Sequence, residues 1–171
     1  MDTQVQFRPR VDRTPAVSAV FKAAPDYDPS ALLTLIRLAF EEQKGRIDPP
    51  SSMNKLRPPD IAAHLAQEMV FVVEQEGAPV ACLFGTRKPG ALYVSKLSVR
   101  PDHRGGGLAR ALLNAAEGEA RVQGLQHLEL ISRRELTDNH ALFRHLGFEK
   151  FAEGSHPGYD TVTEFHFRKM L

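Results

Sequence analysis

Cysteine is nearly absent from this chain, since Cys82 is the one thiol among 171 residues. A single cysteine cannot form a disulfide within the chain, and it excludes a zinc site built from several thiolates. Cys82 lies inside the apolar run 80–84. We therefore expect a buried, unreactive thiol rather than a nucleophile.

Long hydrophobic runs and an excess of one charge are also missing. No apolar run approaches the ~18 residues of a membrane helix, and residues 1–10 have no hydrophobic signal core. The 22 basic and 21 acidic side chains give a net charge of +1, so no broad field exists to attract nucleic acid or a membrane. The sequence therefore predicts a cytoplasmic protein with neither kind of partner.

The composition that is present favours one folded domain. A chain of 171 residues with 42% hydrophobic and 25% charged side chains can bury one core. Residues 1–15 contain two prolines among charges and predict a loose N-terminal arm. Residues 16–171 are then the single domain.

Hydrophobic periodicity predicts strands and helices that alternate along the chain. Helices are expected at about 30–42, 61–68, 106–123 and 138–146. Strands are expected at 17–23, 70–74, 80–85, 92–99, 128–131, 148–152 and 162–167. This order predicts an α/β (α+β) fold around a mixed sheet.

The most informative stretch, residues 97–113, predicts a strand, a glycine turn and an amphipathic helix. Gly105, Gly106 and Gly107 let the backbone approach a ligand without a Cβ clash. The first N–H groups of the following helix lack partners within the helix. With the helix dipole and the charge of Arg104, they favour an anion, most naturally a phosphate or pyrophosphate.

Other glycine-rich motifs fit this stretch less well. A P-loop needs Lys and then Ser or Thr after its last glycine, whereas Leu108 and Ala109 follow Gly107. A dinucleotide fingerprint needs a glycine where Arg110 stands, and Glu129 lies in mid-strand rather than where a ribose-binding acid is expected. A flexible turn that binds nothing is the third alternative.

Residues 104–109, Arg-Gly-Gly-Gly-Leu-Ala, resemble the acyl-CoA-binding motif Arg/Gln-x-x-Gly-x-Gly/Ala of the GNAT superfamily of N-acetyltransferases. Residues 139–148 resemble the family's Asn-containing helix that ends in Gly-Phe, and the element order from 17 to 168 also fits. The resemblance implies a mixed, mostly antiparallel sheet of roughly six to seven strands, splayed beside the fourth strand and flanked by about four helices. It also implies direct transfer of an acetyl group from acetyl-CoA to a primary amine in a ternary complex.

The resemblance also implies roles for individual residues. The backbone N–H of Leu97 would polarise the thioester carbonyl and stabilise an oxyanion, while backbone groups of Leu97 and Val99 would pair with the pantetheine arm. Backbone N–H groups from Gly105 to Ala109 would hold the pyrophosphate. The acyl-CoA site implied in this way comprises Leu97, Ser98, Val99, Arg104, Gly105, Gly106, Gly107, Leu108, Ala109, Asn139 and Phe143.

Two departures from the family pattern leave the general acid and base unassigned. Phe143 stands where many relatives carry a tyrosine that protonates the leaving thiolate, and Lys96 stands near the place of a strand glutamate. A thiol with a pKa near ~8.5 can leave with little help. Water chains to His103, His145 or Glu42 are the candidate bases. A non-catalytic acyl-CoA-binding or regulatory domain and a longer acyl donor stay open as alternatives.

The acceptor is not identified by the sequence. Glu42, Tyr93 and Tyr159 are candidate substrate contacts, because residues 42–57 and 154–160 would lie beside the acceptor in this family. Tyr159 could equally cap its turn. Small-molecule and peptide amines both fit, and a homodimer is common in the family. The seven histidines include no His-x-x-x-His pair, so no metal is expected.

Overall fold

A single seven-stranded sheet organises the computed structural model, which describes residues 15–171; the first 14 residues of the expected N-terminal arm lie outside this range. The strands are β1 (Phe21–Lys22), β2 (Met69–Gln75), β3 (Ala78–Lys88), β4 (Ala91–Val99), β5 (His127–Arg133), β6 (Glu149–Gly154) and β7 (Glu164–Met170). Their order across the sheet is β1-β2-β3-β4-β5-β7-β6, and β4 and β5 form the parallel pair among antiparallel neighbours. The mixed, mostly antiparallel sheet predicted from the sequence is confirmed.

Four helices cover the sheet, namely α1 (Pro29–Phe40), α2 (Pro58–Gln67), α3 (Leu108–Val122) and α4 (Thr137–His145). Asp28 begins α1 because its carboxylate accepts hydrogen bonds from the backbone N–H groups of Ser30 and Ala31, at 2.9 and 3.2 Å. Among the described residues, no helix is long and apolar enough to cross a membrane.

The core consists of two hydrophobic clusters, one on each face of the sheet. The first joins α3 and α4 to the sheet, and the second joins α1 and α2 to it. Phe71 and Val73 belong to the first cluster, whereas Val70 and Val72 belong to the second, as the two-residue period of a strand requires. Burial on both faces explains the continuous apolar runs of β2 and β3.

Cys82 lies in β3 within the second cluster and is fully buried. Burial raises the pKa of its thiol to about 12. The expectation of a buried thiol is therefore confirmed, and the raised pKa disfavours the reactive thiolate.

The sheet splays between β4 and β5. These strands pair over Ala91–Tyr93 and 127–129, and beyond Tyr93 each keeps only its other neighbour. A bulge interrupts β4, since Ser95 pairs with Phe84 and Ser98 with Cys82. Two residues of β4 thus face one residue of β3. Beyond its short parallel pairing, the β5-facing edge of β4 has no strand partner within residues 15–171.

Several element boundaries differ from the sequence predictions, and three of these differences have a local cause. The strand expected at 17–23 contains two residues, because the preceding residues 15–19 lie exposed at the edge of the sheet. The helix expected from 106 begins at Leu108, since Gly107 adopts a φ of 81°, outside the helical region. The last strand is shifted from 162–167 to Glu164–Met170, where it stays paired with β5.

Candidate functional site

A cavity of about 1000 Å³ occupies the splay between β4 and β5 and reaches the N-terminus of α3. The α1–α2 connection (residues 41–57) and β7 also contribute to its walls. Of the expected acyl-CoA residues, those that line it are Leu97, Val99, Arg104, Gly105, Gly107, Leu108, Ala109, Asn139 and Phe143. Ser98 and Gly106 do not. Ser98 is buried, and its hydroxyl donates to the carbonyl oxygen of Lys96 at 3.0 Å.

The glycine turn before α3 has the geometry expected of an anion site. Gly105 and Gly107 have φ values of 79° and 81°, in the left-handed region that favours glycine. Among the described residues, no side chain caps the N-terminus of α3, and its first turn contains no acidic residue. Its first N–H groups are therefore available to an anionic ligand. These features fit the pyrophosphate of an acyl-CoA.

Arg104 makes a contact that the sequence did not reveal. Its guanidinium forms an ion pair with the carboxylate of Glu42 and donates to the carbonyl oxygen of Ala39 at 3.2 Å. The α1–α2 connection is thereby tied to the glycine turn. A phosphate that approaches this turn competes with Glu42 for the same cation.

The free edge of β4 suits an extended ligand. Leu97 and Val99 line the cavity where β4 has left β5, so their backbone groups can pair with a linear chain as another strand would. Phe143 of α4 also lines the cavity and packs against Phe148 and Phe167. Its ring supplies an apolar wall and no proton.

The three candidate bases are either engaged or remote. His103 lines the cavity, but Nδ1 lies 2.9 Å from Asp102 Oδ1 and Nε2 lies 2.9 Å from Gln75 Oε1. Glu42 lines it too and is ion-paired with Arg104. His145 is exposed on α4 and does not line the cavity.

Lys96 places an amine at the bulge of β4, with Nζ 5.2 Å from the centre of the Phe84 ring. Burial lowers its pKa, and Glu68 opposes that effect. Its side chain lines the cavity. A lysine ammonium group donates hydrogen bonds and cannot accept a proton, as a general base must.

The candidate substrate residues separate into two groups. Tyr93 and Glu42 line the cavity. Tyr159 does not: its hydroxyl donates to Asp48 Oδ1 at 2.6 Å and so joins the β6–β7 loop to the α1–α2 connection.

Arg133 and Glu164 are charged cavity residues that the sequence analysis did not single out. Arg133 ends β5, directly after the apolar run 128–131, and a charge at the carboxyl end of a parallel strand is a signal that could have revealed it. Glu164 lacks such a signal, because only the fold brings β7 beside β5. His156 also lines the cavity and belongs to the segment 154–160 that was expected beside the acceptor.

Metal binding finds no support among the described residues, where no group of three or more His, Cys, Asp and Glu side chains could hold an ion.

Similarity to known proteins agrees with this geometry. The model of the acetyltransferase (GNAT) family matches residues 31–148. The chain is similar to a crystal structure of PaiA N-acetyltransferase from Thermoplasma acidophilum in complex with coenzyme A, with a TM-score of 0.75 and 11% identity over 91% of this chain and 99% of that chain. It is also similar to the ribosomal-protein-S18-alanine N-acetyltransferase from Escherichia coli, with a TM-score of 0.69 and 18% identity over 91% and 94% of the two chains.

A third similar structure is IAA acetyltransferase from Bacillus cereus ATCC 14579, with a TM-score of 0.64 and 18% identity over 91% of this chain and 100% of that chain. No curated protein matches the sequence significantly. At such identities the solved structures show a shared fold, whereas the family model covers most of the sequence itself. The chain therefore belongs to the acetyltransferase (GNAT) family.

Proposed function

We propose that this protein is an N-acetyltransferase that uses acetyl-CoA and acts on a primary amine. The observation that carries this proposal is the single cavity that joins the uncapped N-terminus of α3 to the free edge of β4. The thioester supplies an acetyl group that an uncharged amine accepts directly. The new C–N bond replaces the C–S bond, the amine loses one proton to water, and the released CoA thiolate takes up one proton from water.

The backbone performs most of the proposed binding. N–H groups from Gly105 to Ala109 hold the pyrophosphate, and Arg104 adds positive charge once a phosphate replaces Glu42. Backbone groups of Leu97 and Val99 hold the pantetheine arm. The N–H of Leu97 donates to the thioester carbonyl oxygen, where negative charge develops.

The sulfur end of the proposed site lies beside α4. Asn139 and Phe143 face it from α4, and Phe143 cannot protonate the leaving thiolate. Because an alkyl thiol is a far stronger acid than an alcohol, release into water needs no side-chain acid. This accounts for a phenylalanine at the position.

Release of free thiol from acetyl-CoA in the presence of a panel of primary amines tests the proposal. We expect at least one class of amine to accelerate release, and the same assay with longer acyl-CoA donors measures acyl preference. Tight CoA binding with no acceleration by any amine would instead support a non-catalytic acyl-CoA-binding domain.

A pair of glycine variants tests the site itself. Gly107→Ala places a side chain at a φ of 81° in the turn, and we expect it to weaken CoA binding about tenfold. Gly118→Ala is the matched control, because this glycine lies exposed in the middle of α3 with no atom near its absent Cβ. Equal CoA affinity in both variants would contradict the placement of the pyrophosphate.

A further inference from the structure

Two opposite charges stand side by side on the cavity wall, away from the glycine turn. Arg133 of β5 and Glu164 of β7 are partners in the strand register, and both line the cavity. They are not ion-paired with each other in the described structure. Glu164 Oε1 lies 3.0 Å from Nε2 of His166, and its Oε2 lies 3.7 Å from Nε2 of His156. Arg133 Nη2 donates to the carbonyl oxygen of Pro50 at 3.2 Å.

Arg133 has a hydrogen-bond donor that is not used within the described structure. Its Nη1 is buried and has no hydrogen-bond partner among the described residues. A buried charged donor without a partner is costly to the fold. A guanidinium presents two parallel N–H groups that match a carboxylate, so a carboxylate in the cavity would remove this cost.

Tyr93 on the neighbouring strand β4 is influenced by three carboxylates, and Lys88 Nζ lies 4.1 Å from the centre of its ring. Burial raises the pKa of Tyr93, and the carboxylates of Glu164, Glu129 and Glu68 raise it further. Tyr93 and Glu164 both line the cavity. The carboxylate of Glu164 therefore favours an ammonium group of a ligand. On the adjacent strand β5, the guanidinium of Arg133 favours a carboxylate.

The overall charge of the cavity wall agrees with an acceptor that carries a carboxylate. Six basic and three acidic side chains, histidines apart, line it. Arg104 and Arg110 lie beside the glycine turn, where they match the phosphates of an acyl-CoA. Arg46 and Lys55 lie on the α1–α2 connection, the segment that Arg133 contacts through Pro50. Arg46 and Lys55 are therefore not accounted for by the proposed pyrophosphate site and add positive charge near Arg133.

We propose that the acceptor is a free amino acid, whose carboxylate binds Arg133 and whose amine donates hydrogen bonds to Glu164. Cross-strand partners have Cβ atoms about 5 Å apart. Two side chains this close can bind an amine and a carboxylate that are attached to the same carbon atom. A peptide N-terminus or a lysine side chain lacks the adjacent carboxylate. This inference rests on the proposed N-acetyltransferase function, because both use the same cavity.

Thiol release measured with matched sets of acceptors tests the inference. Each set contains an amino acid, its amide and its decarboxylated amine, with glycine, leucine, phenylalanine, glutamate and lysine as the parent compounds. We expect kcat/KM for at least one amino acid to exceed that of its amide and its amine at least tenfold. Equal values across every set, with thiol release intact, would overturn the amino-acid proposal and leave the N-acetyltransferase function standing.

Variants assign the preference to Arg133. Arg133→Met is expected to raise KM for the amino acid at least tenfold with kcat little changed, and to leave the amide and the amine unaffected. Arg133→Lys should restore part of the preference, since it keeps the charge and loses the two-pronged geometry. Arg134→Met is the matched control, because Arg134 does not line the cavity and its side chain is half exposed. An equal effect of Arg133→Met on all three acceptors would contradict the assigned role.

Glu164→Gln should lower kcat/KM for the acid, the amide and the amine together, because all three share the amine. Glu149→Gln, on the exposed edge strand β6, is its control.

If no amine releases thiol although CoA binds, the N-acetyltransferase function fails. Calorimetric titration of the same amino acids and amides into the CoA-loaded protein then decides this inference alone. Binding of an amino acid that Arg133→Met abolishes supports it, and no such binding overturns it.

Discussion

Burial determines the chemistry of single residues in this protein, and Cys82 is the simplest case. The thiol is fully buried, and its pKa of about 12 leaves almost no thiolate at neutral pH. We expect the native protein to react with a thiol-specific reagent at pH 8 roughly a hundredfold more slowly than the urea-unfolded chain. The unfolded chain should titrate one equivalent. A fast reaction of the native protein would show that β3 opens readily.

His140 makes the stability sensitive to pH in a calculable direction. It is buried, Nε2–H donates to the carbonyl oxygen of Arg133 at 2.9 Å, and burial lowers its pKa. In the unfolded chain the imidazole takes up a proton near pH ~6.5. The folded state takes it up only at lower pH, so protonation favours unfolding as the pH falls below that value.

We therefore expect the wild-type protein to lose more free energy of unfolding between pH 7 and pH 5 than His140→Gln does. The amide of glutamine can still donate to Arg133 and does not titrate. Urea unfolding at both pH values measures the difference. Equal losses in the two proteins would assign the pH dependence to other groups.

At the scale of an element, the bulge of β4 turns the strand where the sheet divides. Lys96 adopts a φ of 53°, in the left-handed region that an L side chain rarely takes. Leu97 and Val99 lie two positions apart at and after this bulge, and both line the cavity. Backbone strain is thus located beside the proposed oxyanion donor.

Paired variants measure this strain. We expect Lys96→Gly to be more stable than Lys96→Ala by about 1 kcal/mol, because glycine adopts this conformation freely. At the neighbouring Ser95, outside the left-handed region, the order should reverse, with the alanine variant more stable than the glycine variant. Urea unfolding of the four variants tests both statements. The same order at both positions would argue against strain at Lys96.

At the scale of the whole molecule, one ion pair joins segments that are distant in sequence. Arg104 before α3 and Glu42 after α1 are 62 positions apart and line the same cavity. We therefore expect the proposed acyl-CoA binding at the glycine turn to be coupled to the position of the α1–α2 connection through Arg104. In that proposal, ligand phosphates and Glu42 compete for its guanidinium.

This competition predicts opposite effects of two substitutions on CoA affinity. Arg104→Ala should weaken CoA binding about tenfold and leave an analogue without the pyrophosphate unaffected. Glu42→Gln should strengthen CoA binding severalfold, and less so at high salt. Glu41→Gln is the control, since Glu41 pairs with Lys44 instead. Equal loss of every ligand in Arg104→Ala would indicate misfolding or a different phosphate site.

The parts of the fold that sequence reasoning predicted are those that depend on local pattern. The apolar period of residues 108–120 gives α3, and Gly105 with Gly107 marks the glycine turn before it, since few residues other than glycine adopt their φ values. The sequence analysis overestimated the length of β1, because the length of an edge strand depends on a partner strand that its own sequence does not specify.

The sequence by itself determined the elements, the buried thiol and the glycine turn, because periodicity, apolar context and glycine content are properties of neighbouring residues. Only the tertiary structure decided that Arg133 stands opposite Glu164 and that Arg104 meets Glu42. These pairs depend on sheet order and strand register. The packing of two hydrophobic clusters on opposite faces of the sheet selects that order and register, since a slip of one residue would exchange the faces of β2 and β3.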